Sequence, residues 1–310
     1  MTLETLRLAT RKSPLALWQA NDVARKLRKG FPETAIEIVG LSTEGDRNRE
    51  VSLSTLGGKG VFVKELELAL FSGEADFAVH SMKDVPSVLP DGLGLVAMCE
   101  RADPTDALVS NRFESLRGLP RGARIGSSSL RRCLQLADAF PDLVFENLRG
   151  NVETRLKRLD DGDFEGIILA TAGLERLELS HRISEKIDVD ICIPSAGQGA
   201  VGIEARIDRE ELRPFSDYLN HVSTHLQVSC ERWISQSLGA TCNLPVGAHA
   251  VMGVDEAEAS LQLSTFVSDL KGDRSLRVSQ KAPVHASDEL ARQVADLLID
   301  QGALELIEGA

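Results

Sequence analysis

The sequence predicts an α/β protein of two βαβ-type lobes with parallel or mixed sheets, followed by a small α+β domain. Strand and helix patterns alternate through the first 200 residues, the alternation restarts after a break at Arg101-Ala102-Asp103-Pro104, and its character changes from about residue 222. At 310 residues the chain is also too long for one compact core. The boundaries fall at 1–100 with a return segment 200–217 for the first lobe, 105–195 for the second, and 222–310 for the third domain.

Leu6-Arg7-Leu8-Ala9 reads as a strand. Ser13 then caps a helix with Pro14 at its first position, and Ala16, Ala20, Val23, Ala24 and Leu27 repeat at helical spacing. Ile36 to Val39 is the next strand, Phe62, Leu66, Ala69 and Leu70 mark a helix, and Phe77-Ala78-Val79 a third strand. The second lobe reads as strand Arg124-Ile125, a helix to Ala139, strand Val144-Phe145, helix 152–159, and a strand from Gly166 to Ala170. Pro194 to Gly199 is a glycine-punctuated crossing, expected to be a hinge that returns the chain to the first lobe. In the third domain a helix, Leu226 to Leu238, precedes antiparallel strands around 247–268 and 274–280. A last helix carries Leu290, Val294, Leu297 and Leu298 on one face, with Gly302 past its end.

The net charge of −12 argues against nucleic acid as a partner, because phosphate binding needs a basic face. No apolar run approaches a membrane span, and Met1-Thr2-Leu3-Glu4-Thr5 passes straight into a strand with no signal segment. The expected setting is therefore the cytoplasm, with no membrane partner. Cysteines 99, 133, 192, 230 and 242 are odd in number and widely spaced, so neither a zinc site nor a redox pair is expected. Cys99, Cys133 and Cys192 sit in apolar patterns and read as small core hydrophobes, as does Cys230 on its helix.

In doubly wound lobes, ligands sit beyond the carboxyl ends of strands. Five such ends here deliver polar groups: Arg11, Lys12 and Ser13; His80 to Asp84; Ser127 to Arg132; Arg149, Gly150 and Asn151, with Arg155 one turn on; and Thr171, with Arg176 nearby. Together they point to a site for a polyanion, since hydroxyls at a helix start meet orphan amides and guanidiniums fork onto carboxylates. Between Arg124 and Arg155 five basic residues face four acidic ones, so the inference rests on position and not on composition. Asp84 reads either as a structural ion pair or, if the ligand develops positive charge, as a proton donor and cation stabiliser. His80 reads either as a general base or as a hydrogen-bonded structural group.

The stretch Ser42 to Gly60 lacks an apolar period and is expected either to be a mobile lid or to have no function. Its Gly57-Gly58-Lys59-Gly60 is not a phosphate loop, because Leu53 and Gly60 replace the required glycine and hydroxyl residue. Cys242 lies on a loop between elements and reads either as a nucleophile or attachment point or as an inert thiol.

Taken together, these motifs resemble the porphobilinogen deaminase (hydroxymethylbilane synthase) family. The matching runs are Arg11 to Ala20, Gly57 to Gly60, His80-Ser81-Met82-Lys83-Asp84-Val85-Pro86, Gly126 to Arg132, Leu148 to Asn151, Ala196 to Ala200 and the Cys242 loop. Ala240-Thr241 stand where the family often has two glycines, and Ser127 where many relatives carry threonine.

The resemblance implies two periplasmic-binding-protein-like lobes with doubly wound mixed sheets, an active cleft between them, and a small α+β C-terminal domain. It implies a transferase of tetrapyrrole and haem biosynthesis that is a cytoplasmic monomer and uses no metal. A dipyrromethane cofactor is held by a thioether to Cys242, four porphobilinogen units are added in turn with loss of ammonia, and hydrolysis frees the linear tetrapyrrole hydroxymethylbilane. Asp84 matches the catalytic aspartate, placed to stabilise a cationic azafulvene. Cys242, Lys83, Ser128, Ser129, Arg131, Arg132, Arg149, Gly150 and Asn151 match cofactor-binding positions. Arg11, Ser13, Gln19, Ser81, Arg155 and Arg176 match substrate-binding ones, and Lys59 and Phe62 belong to the lid. The competing reading is a two-lobed protein that binds a small carboxylate without catalysis.

Overall fold

Alternating apolar residues build β1 (Thr5–Arg11), in which Leu6 and Leu8 are fully buried. The computed structural model describes residues 3–43, 63–240, 244–255 and 258–308. At the start of α1 (Pro14–Gly30), Ser13 Oγ accepts from the Ala16 amide and Pro14 sits in the first turn. The stripe from Ala16 to Leu27 is the buried face. Then follow β2 (Ala35–Leu41), α2 (Lys64–Ser72), β3 (Phe77–Ser81) and β4 (Leu93–Met98). Past the break come β5 (Asp106–Val109), β6 (Arg124–Gly126), α3 (Leu130–Ala139), β7 (Val144–Glu146), α4 (Val152–Asp160), β8 (Gly166–Ala170), α5 (Thr171–Arg176) and β9 (Ile183–Ile187). The polypeptide then forms β10 (Val201–Arg206), α6 (Arg213–Leu219) and α7 (Val222–Ser237). Strands β11 (Val246–Asp255), β12 (Glu258–Ser268) and β13 (Ser275–Pro283) precede α8 (Ser287–Asp300) and α9 (Ala303–Glu308).

Two compact units result: residues 1–102 with 200–226, and residues 103–199 with 227–310. The first holds a five-stranded sheet in the order β2-β1-β3-β10-β4, parallel between β1 and its neighbours and antiparallel at β10. Leu6, Leu8, Phe77, Val79 and Ile203 meet α1 in its core. The second unit holds a sheet of the same plan, β7-β6-β8-β5-β9, with β5 as its antiparallel insert. It also holds the antiparallel sheet β11-β12-β13, on which α8 packs. The fold class is therefore α/β, with two mixed sheets and a small α+β portion at the C-terminal end.

Several expectations need correction. Leu297 is not on the buried face of α8; Leu290, Val294 and Leu298 are, and the register leaves Leu297 37% exposed. Helix α7 starts at Val222, before the expected Leu226. Strands β4, β5, β9 and β10 had no distinct signal: β5 is a four-residue segment too short for a period, and edge strand β9 has a polar centre, Ser184-Glu185-Lys186.

Candidate functional site

The parallel strands of each sheet end on the predicted polar groups. In the first unit, a pocket is lined by Arg11, Ser13, Gln19, His80, Ser81 and Asp84, among others. β1 brings Arg11, the start of α1 brings Ser13 and Gln19, and β3 brings His80 and Ser81. A one-turn 3-10 helix over Met82–Asp84 follows β3 directly. Met82 is buried and pins that turn, which leaves Lys83 and Asp84 partly exposed. Arg11 Nη1 lies 3.9 Å from Asp84 Oδ2, an ion pair without a hydrogen bond. Gln19 Nε2 and Ser81 Oγ are 2.8 Å apart, so the amide of a buried glutamine fixes the serine at the pocket wall. His80 Nε2 pairs inside the sheet with Glu204 Oε2 of β10 at 2.8 Å.

In the second unit, β6 leads into Ser127 to Arg132. Ser129 is the N-cap of α3, but its side chain accepts no cap hydrogen bond, contrary to expectation. Ser127 Oγ instead accepts from the Ser129 amide at 3.3 Å. That local bond draws the loop away from capping and leaves the Ser128 and Ser129 hydroxyls without hydrogen bonds to the described residues.

The paired arginines are both buried against Asp106 of β5. Arg131 Nη2 donates to Oδ2 at 2.8 Å and Arg132 Nε to Oδ1 at 2.9 Å, while Gln198 Nε2 donates to Oδ1 at 2.9 Å. Burial alone raises a carboxyl pKa, but the two guanidiniums outweigh it and hold Asp106 well below the usual carboxylate range. Cys192 is not simply a core hydrophobe; it lies 3.4 Å from both Arg131 Nη1 and Asp106 Oδ2, and burial pushes its thiol up to about 12. Cys99 and Cys230 are buried and Cys133 half-buried, and all four described cysteines are free thiols.

Two guanidiniums against one carboxylate leave an excess positive charge, to which the next strand end adds. Gly150 takes φ +115°, a backbone that any other residue adopts only with strain, and its carbonyl accepts from Arg155 Nε at 2.8 Å. Asn151 caps α4, its Oδ1 accepting from the Thr154 amide at 2.8 Å. Arg155 makes no ion pair with the described residues. Burial, with Arg132 and Arg149 nearby, pulls its guanidinium down to about 10. Like charges held together in a partly dry site fit a ligand that brings several carboxylates. Arg176 is buried after β8 and donates to the Gly199 carbonyl at 2.7 Å.

Asp106, Gln198 and Glu204 were missed in the sequence. The only signal for Asp106 was an acid directly ahead of the apolar run Ala107-Leu108-Val109. Lys59, Phe62 and Cys242, with most of the expected lid, lie outside the described residues.

Each of the two α/β units presents cations and hydroxyls at the ends of its parallel strands. The family described as "Porphobilinogen deaminase, dipyromethane cofactor binding domain" matches residues 6–214, and "Porphobilinogen deaminase, C-terminal domain" matches residues 225–300. A porphobilinogen deaminase of Chromobacterium violaceum is 48% identical over 98% of this chain and 97% of its own. That of Laribacter hongkongensis is 45% identical over 97% and 96%. Among solved structures, a periplasmic substrate-binding protein of an ABC transporter from Coxiella burnetii has a TM-score of 0.45 at 14% identity, covering 71% of this chain and 94% of that one. The chain belongs to the porphobilinogen deaminase family, transferases of tetrapyrrole biosynthesis that act on porphobilinogen and carry a dipyrromethane cofactor.

Proposed function

We propose that this protein builds hydroxymethylbilane by adding four porphobilinogen units in turn, with Asp84 as its catalytic acid–base group and Cys242 as the thiol that holds the cofactor. The observation that carries the site assignment is the grouping of Arg132, Arg149 and Arg155 after β6 and β7, near enough for the first two to act on the third, a set of guanidiniums that fits carboxylate-bearing pyrroles. When bound, dipyrromethane supplies a primer ring to which the first unit is joined. Ser128, Ser129, Arg131, Arg132, Arg149, Gly150 and Asn151 would hold it, together with Lys83. Arg11, Ser13, Gln19 and Ser81 line the pocket of Asp84 and would orient the incoming porphobilinogen through its acetate and propionate. Arg155 and Arg176 would hold the carboxylates of units already added. Asp84 then faces the cation formed as ammonia departs, where a negative carboxylate lowers the barrier and moves a proton.

Residues 105–195 and 222–310 are proposed to form two separate domains. No described helix is long and apolar enough to cross a membrane. A monomer in the cytoplasm is the proposed state, which accords with the free thiols.

The arginine assignment is tested with Arg155→Gln, because Arg155 supports no ion pair whose loss would unfold the protein. A charge-assisted hydrogen bond is worth about 1.5–3 kcal/mol, so the variant is expected to fold normally and form product roughly tenfold more slowly. Enzyme-bound short oligomers should accumulate in its intact-mass spectrum. Normal turnover with no accumulated oligomer would remove Arg155 from the carboxylate site.

A further inference from the structure

His80 lines the same pocket as Asp84, yet gripping carboxylates gives it no task. Its pairing is costly. The side chains of His80 and Glu204 are 3% and 0% exposed, and Glu204 Oε1 has no hydrogen-bond partner among the described residues. An unmet buried acceptor loses its hydration with nothing in return, and well-packed apolar residues usually serve a sheet at least as well as an ion pair. Gly202 stands opposite His80, and a Cβ there would come within 2.0 Å of Met82 Sδ, so the buried methionine holds this position beside the pair to glycine. Helix α2 packs on β10 and brings half-buried Glu67, whose carboxyl is raised by burial and by the charge of Glu204. A pocket-lining imidazole backed by a buried carboxylate, with a second, half-buried carboxylate near that one, forms a proton-handling arrangement, not a packing one.

We propose that His80 is a second proton-carrying group of the Asp84 pocket and that Glu204, with Glu67 behind it, is its positioning residue. This rests on that pocket being where porphobilinogen reacts. Glu204 Oε2 is placed to accept from Nε2, which leaves Nδ1 as the ring nitrogen that can take up a proton. Each addition breaks the aminomethyl C–N bond of a porphobilinogen, and the electron pair leaves on ammonia. The new C–C bond forms at a ring carbon that gives up one proton. The His80 ring takes that proton, directly or through one water, and passes it to Asp84, restoring the proton that Asp84 gave to the leaving amine. No other reactant is needed, and between the two transfers the Asp84 carboxylate stands opposite the developing cation.

The test compares kcat against pH for Glu204→Gln, His80→Gln and the double variant, alongside melting temperature and the intact mass of the cofactor-loaded protein. The charged groups around His80 are Glu204 from β10, Glu67 from α2, Arg11 at the end of β1 and Asp84 after β3. Removing only the Glu204 charge is expected to move the acid limb of the kcat profile to lower pH. His80→Gln should lose that limb and fall by about 10²-fold in kcat with the cofactor retained. In the double variant two amides preserve a hydrogen bond across the strands, so it should fold even if a single variant does not, with kcat still low. Wild-type kcat and an unmoved limb in the double variant would overturn the proposal and leave a structural pair. Asp84→Asn run in parallel separates the two readings: normal turnover there would defeat the pocket assignment itself.

Discussion

Asp84→Asn is expected to lower kcat by about 10²-fold or more while the protein keeps its cofactor and its stability. Asparagine matches aspartate in shape but carries neither the proton nor the negative charge. The turn that presents Asp84 is pinned by buried Met82 and does not depend on the carboxylate. Its partner Arg11 lies 3.9 Å away, and the two side chains are 22% and 34% exposed. Such a pair contributes about 0–1 kcal/mol at most, so the melting temperature should scarcely move. Steady-state turnover, thermal melting and intact mass on one preparation check all three statements. Normal turnover would strip Asp84 of its catalytic role, and a large loss of stability would return it to a structural ion pair.

The second large effect is on folding. Asp106→Asn should destabilise the second unit by about 3–5 kcal/mol at neutral pH, because it leaves Arg131 and Arg132 buried without their shared counter-charge. The pH dependence has a definite sign. The folded-state pKa of Asp106 lies below that of the unfolded state. Its contribution is therefore fully present above the ordinary carboxylate range and is lost as pH falls through that range towards the folded value. Urea unfolding of wild type and variant should show their difference in stability shrinking below about pH 4. A difference that is constant with pH would show that the ion pairs are not its source. Arg131 and Arg132 are thus held rigidly before any ligand arrives, and replacing either also breaks this network. Arg155 gives the cleaner test of ligand binding for that reason.

The sequence made legible whatever depends on local rules. Ser13 with Pro14 marked a helix start, the Ala16 to Leu27 stripe marked its buried face, and the polar residues after Val79, Ile125 and Phe145 marked strand ends. Contacts between residues far apart in sequence were not legible. Asp106 meets Arg131 only because β5 inserts antiparallel beside β8, and Glu204 meets His80 only because β10 returns beside β3. Both inserts come from distant segments, so no spacing rule links the partners. Cys192 reads as a hydrophobe for the same reason: its polar neighbours come from β5 and α3. The Ser127 to Ser129 run was read as helix capping, yet Ser127 turns back on its own loop and leaves two hydroxyls for a ligand.

A tetrapyrrole assembled on the enzyme's own thiol must be visible in the mass of the intact protein. Wild-type protein is expected to carry one dipyrromethane at rest and, after a brief pulse of porphobilinogen, a ladder of added units. Cys242→Ser should show the bare polypeptide mass before and after the pulse and form no product. A wild-type protein of unmodified mass that turns over normally, or a Cys242→Ser variant that still carries the ladder, would contradict the account.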